Sequence, residues 1–129
     1  MYLTHQPEVA SIAQASGVDW IFVDLEINGK HARQGHLDTV ISGHTVEDVR
    51  AVRAVVDRSQ LLVRVNPMHD GSQREINEVI DAGADIVMLP FFRTRREVAD
   101  FVRMVAGRTK VCLLIETPQA VANLDDVLT

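Results

Sequence analysis

The chain has 129 residues, a length that fits one domain and is too short for two. Hydrophobic residues make up 47% and charged residues 24%, which is typical of a globular protein and excludes general disorder. The net charge is −5 and no basic patch runs through the sequence, so we expect neither a nucleic-acid partner nor a membrane surface as partner. The longest apolar run, Ile86 to Phe92, is too short to span a bilayer. Cys112 is the only cysteine, which excludes an internal disulfide and favours a reducing, cytoplasmic setting.

The first element predicted along the chain is a helix that begins at Pro7 and ends at Gly17. After it come four short, nearly continuous apolar runs, which are typical of strands buried on both faces of a parallel sheet. These predicted strands are Trp20 to Leu25, Leu61 to Val65, Ile86 to Leu89 and Val111 to Ile115.

Each predicted strand is followed by a stretch with helical periodicity. Thr45 with Asp48, and Thr94 with the glutamate three residues later, are typical helix starts, while Gly83 and Gly107 are typical helix ends. The predicted order is therefore one helix, then four strands each followed by a helix. The faces expected to pack on the sheet are Val9, Ile12 and Ala13; Val49, Val52 and Val56; Ile76, Val79 and Ile80; Val98, Phe101, Val102 and Val105; and Val121, Leu124 and Leu128.

Repeated strand–helix units fit either a doubly wound open sheet or part of a (β/α)8 barrel. No glycine-rich phosphate-binding loop follows a predicted strand, which disfavours a nucleotide-binding open sheet. A complete barrel needs roughly 250 residues, about twice this length. We therefore expect an α/β fold in which residues 1–129 form a single partial (β/α)8 TIM barrel domain, truncated at both ends and covering about strands two to five with their helices. A stand-alone four-stranded protein is the alternative.

Chemistry in such barrels lies at the carboxyl ends of the strands. Three of the four predicted strand ends carry ionisable side chains: Asp24 with Glu26, Arg64, and Glu116. Three carboxylates and one guanidinium at one rim are the composition of a divalent-metal site beside an anion-binding arginine. Structural alternatives are open for each. Asp24 and Glu26 could cap the next segment or form an ion pair with Arg64, and Glu116 could be stabilised by the dipole of the helix that follows it.

These residues stand in a set of motifs whose order and spacing are fairly specific. The motifs are Val23-Asp24-Leu25-Glu26, Leu62-Val63-Arg64-Val65-Asn66-Pro67, Gly83-Ala84-Asp85, Val87-Met88-Leu89-Pro90 and Leu114-Ile115-Glu116-Thr117. The pattern, from about Gly17 to Leu124, resembles the HpcH/HpaI aldolase and citrate lyase β-subunit family. Members of that family adopt a (β/α)8 barrel of the phosphoenolpyruvate/pyruvate type.

The resemblance implies a lyase that cleaves or forms a carbon–carbon bond in 2-oxo acids or acyl-CoA esters with the help of Mg²⁺ or Mn²⁺. Glu116 matches the glutamate that holds the ion, and the matching aspartate is expected beyond Thr129. Arg64 matches the arginine that binds the oxo and carboxylate oxygens of the substrate. The resemblance also implies a homo-oligomer. The resulting expectations are Arg64, Asp24 and Glu26 as catalytic residues, Arg64, Asn66 and Pro90 as substrate-binding residues, and Glu116 as a metal ligand.

One position departs from the aldolase branch of the family, where a histidine stands three residues after the strand-two aspartate. Ile27 occupies that position here, and Asp24-Leu25-Glu26 is closer to the citrate-lyase-like branch. The long connection from Ile27 to His44 could supply a substitute base from His31, His36 or His44. The alternative is a solvated loop in which the histidines have no catalytic role.

Other reactive side chains have simpler interpretations. Cys112 lies within a predicted strand and is expected to be buried packing. His69 and Asp70 either touch the substrate or turn the chain. The cluster of Arg93, Arg95 and Arg96 could receive a phosphate or CoA tail, but a solvated helix start is the expected role.

Two further functions compete with the lyase. The same barrel could catalyse an enolate-forming isomerisation or a phosphoenolpyruvate transfer. An incomplete or degenerate half-barrel could instead act without catalysis, as a self-associating or interaction module.

Overall fold

The computed structural model describes residues 1–27 and 44–129. In this part of the chain, five strands alternate with helices along the sequence. The strands are β1 (Tyr2–Leu3), β2 (Trp20–Asp24), β3 (Gln60–Arg64), β4 (Ile86–Leu89) and β5 (Lys110–Leu113). The helices are α1 (Pro7–Ala15), α2 (Val46–Arg53), α3 (Ser72–Asp81), α4 (Arg95–Val105), α5 (Pro118–Ala122) and α6 (Leu124–Val127). No helix of the described ranges is long and apolar enough to cross a membrane.

The five strands form one parallel sheet in the order β1-β2-β3-β4-β5. Every strand therefore pairs with its neighbour in the sequence, whereas a doubly wound sheet reverses its order at a switch point. Consecutive parallel strands joined by helices are the arrangement of a (β/α)8 barrel. The predicted fold class, a partial barrel of α/β units, is confirmed.

The two faces of the sheet bury different sets of side chains because successive residues of a strand point to opposite sides. The helices cover one face, and Val23, Val63 and Val87 belong to the core beneath them. The opposite, inner face carries a second apolar cluster made only of residues from strands and strand ends, with Leu62 at its centre. This inner cluster consists of Phe22, Leu62, Ile86 and Met88, with Cys112 and Leu114 packed against it.

The start of the chain differs from the prediction. A two-residue strand, β1, precedes the first helix, and Tyr2 and Leu3 pair with Ile21 and Phe22 of β2. Two residues are too few to show a period, so only the pairing with β2 identifies them as a strand. The partial barrel therefore has five strands where four were expected. The strands β2 and β3 also end one residue earlier than predicted, and β5 ends two residues earlier.

The prediction of the face that α1 buries was correct for Ala13 and wrong for Ile12. Ala10, Ala13 and Gln14 are buried, whereas Ile12 is 67% exposed. The polar Gln14 is inside because it completes hydrogen bonds that the backbone cannot satisfy alone. Its Oε1 accepts from the backbone N–H groups of residues 57, 58 and 59 at 2.9, 2.7 and 3.0 Å, and its Nε2 donates to Asp57 Oδ1 at 2.9 Å. Gln14 thus fastens α1 to the turn that leads into β3.

Replacing Gln14 with alanine should lower the free energy of unfolding by about 2–3 kcal/mol, because three backbone donors lose their acceptor at once. Gln73 on α3, whose side-chain amide forms only exposed hydrogen bonds with the described residues, provides the control. Its replacement by alanine should change the stability by less than about 0.5 kcal/mol. Urea unfolding followed by circular dichroism measures both effects. Equal stability of the two variants would contradict the role given to Gln14.

The remaining helices follow the prediction up to the last one. Asp48 accepts from the Thr45 backbone and Glu97 forms the expected capping box with Thr94. Val102 is the exception within α4, with 47% exposure. The predicted fifth helix is two short helices, α5 and α6, which bury Ala120 and Val127 and leave Val121 and Leu128 exposed.

Candidate active site at the carboxyl end of the sheet

The centre of the site is a guanidinium held by two carboxylates from the neighbouring strand. Parallel pairing places Asp24 directly beside Arg64, each at the end of its strand. Arg64 Nε donates to Asp24 Oδ1 at 2.9 Å and Nη2 donates to Oδ2 at 2.8 Å, a bidentate pair. Glu26 Oε2 lies 3.2 Å from the same Nη2. The exposures of Asp24 and Glu26 are 7% and 1%, so both carboxylates are buried.

These carboxylates stabilise the charge of Arg64. Its pKa is raised above its usual value chiefly by the hydrogen bonds that it donates to Asp24, against the opposing effect of burial, with further contributions from the charges of Asp24, Glu26 and Glu116. The guanidinium also lies 5.8 Å from the centre of the Phe22 ring. The ion pair that the sequence left as a structural alternative is therefore present, and it includes both carboxylates.

The same geometry leaves one edge of Arg64 available. Its bonds to the described residues use Nε and Nη2, and Nη1 forms none with them. The side chain keeps 17% exposure. A guanidinium has five donors in a fixed plane, so one edge can be held by the protein while the other binds a carboxylate or oxo group.

Glu116 lies just beyond β5 and is exposed. Its Oε1 accepts the backbone N–H of Phe91 at 3.0 Å. Phe91 has a φ of 56°, a left-handed conformation that is uncommon for a residue other than glycine. The alternative, in which Glu116 is the neighbour of the cap of the next helix, is compatible with these contacts: the cap of α5 is Thr117, whose Oγ1 accepts from the backbone of Ala120 at 3.0 Å.

The described residues offer a divalent ion one suitable ligand. Among them, no three histidine, cysteine, aspartate or glutamate side chains are grouped to hold a metal. Asp24 and Glu26 are engaged by Arg64, while Glu116 Oε2 forms no hydrogen bond with the described residues. Magnesium is commonly held by one or two carboxylates together with substrate oxygens and water. Glu116 therefore fits one position of such a site.

Two predicted substrate-binding residues are buried at the rim. Asn66 follows Arg64 by two residues on the same face and is 8% exposed. Its side chain is bound on both sides, with Oδ1 accepting from the Ile27 backbone at 2.9 Å and Nδ2 donating to Glu75 Oε1 at 2.7 Å. Pro90 is buried directly before Phe91.

Some of the histidines lie in the described part of the chain and some do not. His31 and His36 lie outside the described residues. His44 stacks on His5, with ring centres 3.8 Å apart and an angle of 34° between the rings. His5 was not predicted; it follows the short strand β1, so its place at a strand end could be recognised only once that strand was known. The His69 ring bonds to Glu75 Oε2 at 3.0 Å, and Asp70 is exposed.

Two of the three arginines of this cluster have acidic partners within the chain. Arg95 pairs with Asp126 at 3.5 Å, and Arg96 lies 3.9 Å from Asp100. Glu97 occupies the N-terminus of α4. Burial opposes its charge, but hydrogen bonds from the backbone N–H groups of residues 93 and 94 and from the Thr94 hydroxyl lower the pKa of its carboxyl group below the usual value. Because a carboxylate of the chain already fills the anion position there, the contacts favour the solvated helix start over a phosphate site.

Cys112 has the role expected for a packing residue. It is partly buried against the inner cluster, and burial raises the pKa of its thiol. A raised pKa keeps the sulfur protonated and poorly nucleophilic at neutral pH.

Comparison with known proteins gives one family and several related folds. The sequence profile of the family described as HpcH/HpaI aldolase/citrate lyase matches residues 1–129. An HpcH/HpaI aldolase from Desulfitobacterium hafniense DCB-2 has a similar structure, with a TM-score of 0.73 and 17% identity over 99% of this chain and 55% of that one. The citrate synthase SbnG has a TM-score of 0.71 and 20% identity, over 98% of this chain and 54% of that one.

A phosphonopyruvate hydrolase, solved in complex with oxalate and Mg²⁺, is also similar, with a TM-score of 0.58 and 14% identity over 87% of this chain and 45% of that one. At these identities the solved structures support the fold alone. The chain spans about half the length of the solved structures it matches. No curated protein matches it in a sequence search.

Proposed function

Because the chain belongs to the HpcH/HpaI aldolase/citrate lyase family, we propose that the full-length protein is a metal-dependent carbon–carbon lyase acting on 2-oxo acids or acyl-CoA esters. The observation that carries the proposal is the Asp24–Arg64–Glu26 cluster beside Glu116 at the carboxyl ends of the strands. That end of the sheet is where barrel enzymes place their active sites.

Arg64 is the proposed substrate-binding and charge-stabilising residue. In the cleavage of a 4-hydroxy-2-oxo acid, a base removes the hydroxyl proton, the C3–C4 bond breaks, an aldehyde leaves, and the electron pair remains on a pyruvate enolate. The Nη1 edge of Arg64, which forms no bond with the described residues, would hold the oxygens on which this negative charge collects. Asp24 and Glu26 keep the guanidinium fixed and charged, so no reorganisation is needed when the charge develops.

Glu116 is the proposed metal ligand. Bound Mg²⁺ or Mn²⁺ would supply a Lewis acid for the same substrate oxygens, as divalent ions do in other enzymes. The hydrogen bond that the Phe91 backbone N–H donates fixes Oε1 of Glu116. Oε2 is therefore the oxygen that would coordinate the ion in this proposal. Asn66 and Pro90 line the substrate side of the rim in this proposal.

We assign the acid–base role to the histidines between β2 and α2, because Asp24 and Glu26 already bind the guanidinium of Arg64. Replacing His31, His36 and His44 together with glutamine should reduce carbon–carbon cleavage roughly 10²-fold or more. Unchanged cleavage by the triple variant would remove this assignment and leave Arg64 and Glu116 untouched.

Self-association is the second candidate, and it rests on exposed apolar residues of β1 and of the helical segment that follows β5. Tyr2 and Leu3 of the edge strand β1 are 47% and 54% exposed, and Val121 and Leu128 of that helical segment are 62% and 68% exposed. Size-exclusion chromatography with light scattering tests it. A monomer at all concentrations would reject a homo-oligomer.

The lyase proposal is tested with the full-length protein and two sets of substrates, 4-hydroxy-2-oxo acids and 3-hydroxyacyl-CoA esters. Release of pyruvate or of the shorter thioester is measured with Mg²⁺, with Mn²⁺ and with a chelator. The proposal predicts cleavage of one set, lost on chelation and restored by either ion. No cleavage of any member with either ion would reject it.

A further inference from the structure

A carboxylate behind the rim, that of Glu75, binds three groups of the site's supporting loops. Glu75 lies in the first turn of α3, and its side chain is 16% exposed. Oε1 accepts from the Asn66 backbone at 3.1 Å and from Asn66 Nδ2 at 2.7 Å. Oε2 is 3.0 Å from His69 Nε2. One partly buried side chain therefore joins the end of β3, the loop that follows it and the start of α3.

The contact with Glu75 decides which way the Asn66 amide points. A carboxylate only accepts, so it selects the Nδ2 end of the amide and leaves Oδ1 on the opposite side. Oδ1 there accepts the backbone N–H of Ile27 at 2.9 Å. If the amide turned over, Nδ2 would face the N–H of Ile27 and Oδ1 would face a carboxylate oxygen, so both contacts would be lost.

The hydrogen bond from Ile27 lies next to the reactive cluster. Ile27 directly follows Glu26, and Asn66 follows Arg64 by two residues. The Asn66–Ile27 bond therefore ties the ends of β2 and β3 together just beyond the Asp24–Arg64 pair. We propose that Glu75 is a positioning residue which, through Asn66, fixes the end of β2 and thereby the carboxylates that hold Arg64. Its catalytic consequence rests on the proposed lyase function.

The contact with His69 makes the hydrogen bonding of Glu75 sensitive to the replacement of a single carboxylate oxygen. The backbone N–H of Gly71 donates to Nδ1 at 3.0 Å, which assigns the ring hydrogen to Nε2 and makes it the donor to Glu75. Glutamine at position 75 has the same shape as glutamate but only one acceptor oxygen. If that oxygen stays on Asn66, its NH₂ group faces the Nε2 hydrogen. Glu75→Gln therefore changes the hydrogen bonding without leaving a cavity.

The test compares Glu75→Gln with Glu78→Gln in the full-length protein. Glu78 lies on the same helix and pairs with the exposed Arg74 at 2.7 Å, away from the rim. Hydrogen–deuterium exchange of the peptide that contains Ile27 reports the hydrogen bond directly. Exchange of pyruvate methyl protons with Mn²⁺ gives kcat and KM. Thermal melts show whether each variant is folded, and Glu75→Asp, whose shorter side chain withdraws the carboxylate from Asn66 and His69, serves if Glu75→Gln does not fold.

The expected result for Glu75→Gln is faster exchange of the Ile27 amide, with kcat lowered about 10-fold or more and KM changed less than about 3-fold, because binding groups remain while their alignment is lost. Glu78→Gln should match the wild type. A protected Ile27 amide in a folded Glu75→Gln variant, or in Glu75→Asp where that variant replaces it, would overturn the proposal, as would an unchanged kcat. A wild type without proton exchange would instead reject the lyase function, and the Ile27 amide would still decide whether Glu75 fixes the end of β2.

Discussion

Replacing Arg64 with methionine will lower both activity and stability, and these two losses can be separated. Proton exchange or cleavage by the full-length protein should fall roughly 10²- to 10³-fold, the effect of losing a donor aimed at a developing negative charge. The free energy of unfolding should fall by about 3–5 kcal/mol, because two buried carboxylates lose their partner. Steady-state kinetics and urea unfolding measure the two effects.

A triple variant, Arg64→Met with Asp24→Asn and Glu26→Gln, is the control for this prediction. It removes the uncompensated charges together with the guanidinium, so most of the lost stability should return. Activity should stay low, since the group that binds the substrate oxygens is still missing. A stable Arg64→Met single variant would contradict the buried ion pair. Recovered activity in the triple variant would contradict the role of Arg64 in the reaction.

Replacing Glu116 with glutamine should remove metal activation while leaving the fold intact. Glutamine keeps an oxygen to accept the N–H of Phe91 but loses the charge that attracts the ion. We expect the metal-stimulated rate to fall roughly 10²-fold, in the range of catalysis supplied by one electrostatic group. Because the side chain is exposed, stability should change by less than about 0.5 kcal/mol.

Titration with Mn²⁺, followed by electron paramagnetic resonance, measures the same change without any substrate. Binding should weaken by more than about 10-fold in Glu116→Gln. Asp125→Asn, a change of equal charge on the exposed α6, should bind Mn²⁺ as the wild type does. Unaltered Mn²⁺ binding and activation in Glu116→Gln would show that the ion sits elsewhere.

The strand ends could be predicted from the sequence because parallel strands place their carboxyl ends at one edge. Apolar runs followed by Asp24, Arg64 and Glu116 gave both the fold class and the position of the charges. The alternation of side chains put Arg64 on the face opposite Val63. The sequence did not determine which of these charged side chains pair with each other. The register between β2 and β3 places Asp24 beside Arg64, and that register is known only from the structure.

The features that were missed depend on contacts between distant parts of the chain. Gln14 is buried by three backbone donors more than forty residues away, so the apolar pattern of its own helix favoured Ile12. Glu75 has the appearance of an ordinary solvent-facing helix residue until Asn66 and His69 are placed around it. Polar groups satisfied from elsewhere in the fold leave no periodic signal in the sequence.

The most direct test of the central claim is the exchange for deuterium of the methyl protons of pyruvate and of acetyl-CoA, followed by proton NMR with the full-length protein. Exchange needs only enolate formation, and the two compounds represent the enolates released from 4-hydroxy-2-oxo acids and from 3-hydroxyacyl-CoA esters, so both substrate classes are covered. The structure predicts exchange in one of them that requires Mg²⁺ or Mn²⁺ and is lost in Arg64→Met and Glu116→Gln. Exchange of neither compound faster than in buffer with either ion, or exchange unaffected by both substitutions, would contradict the claim.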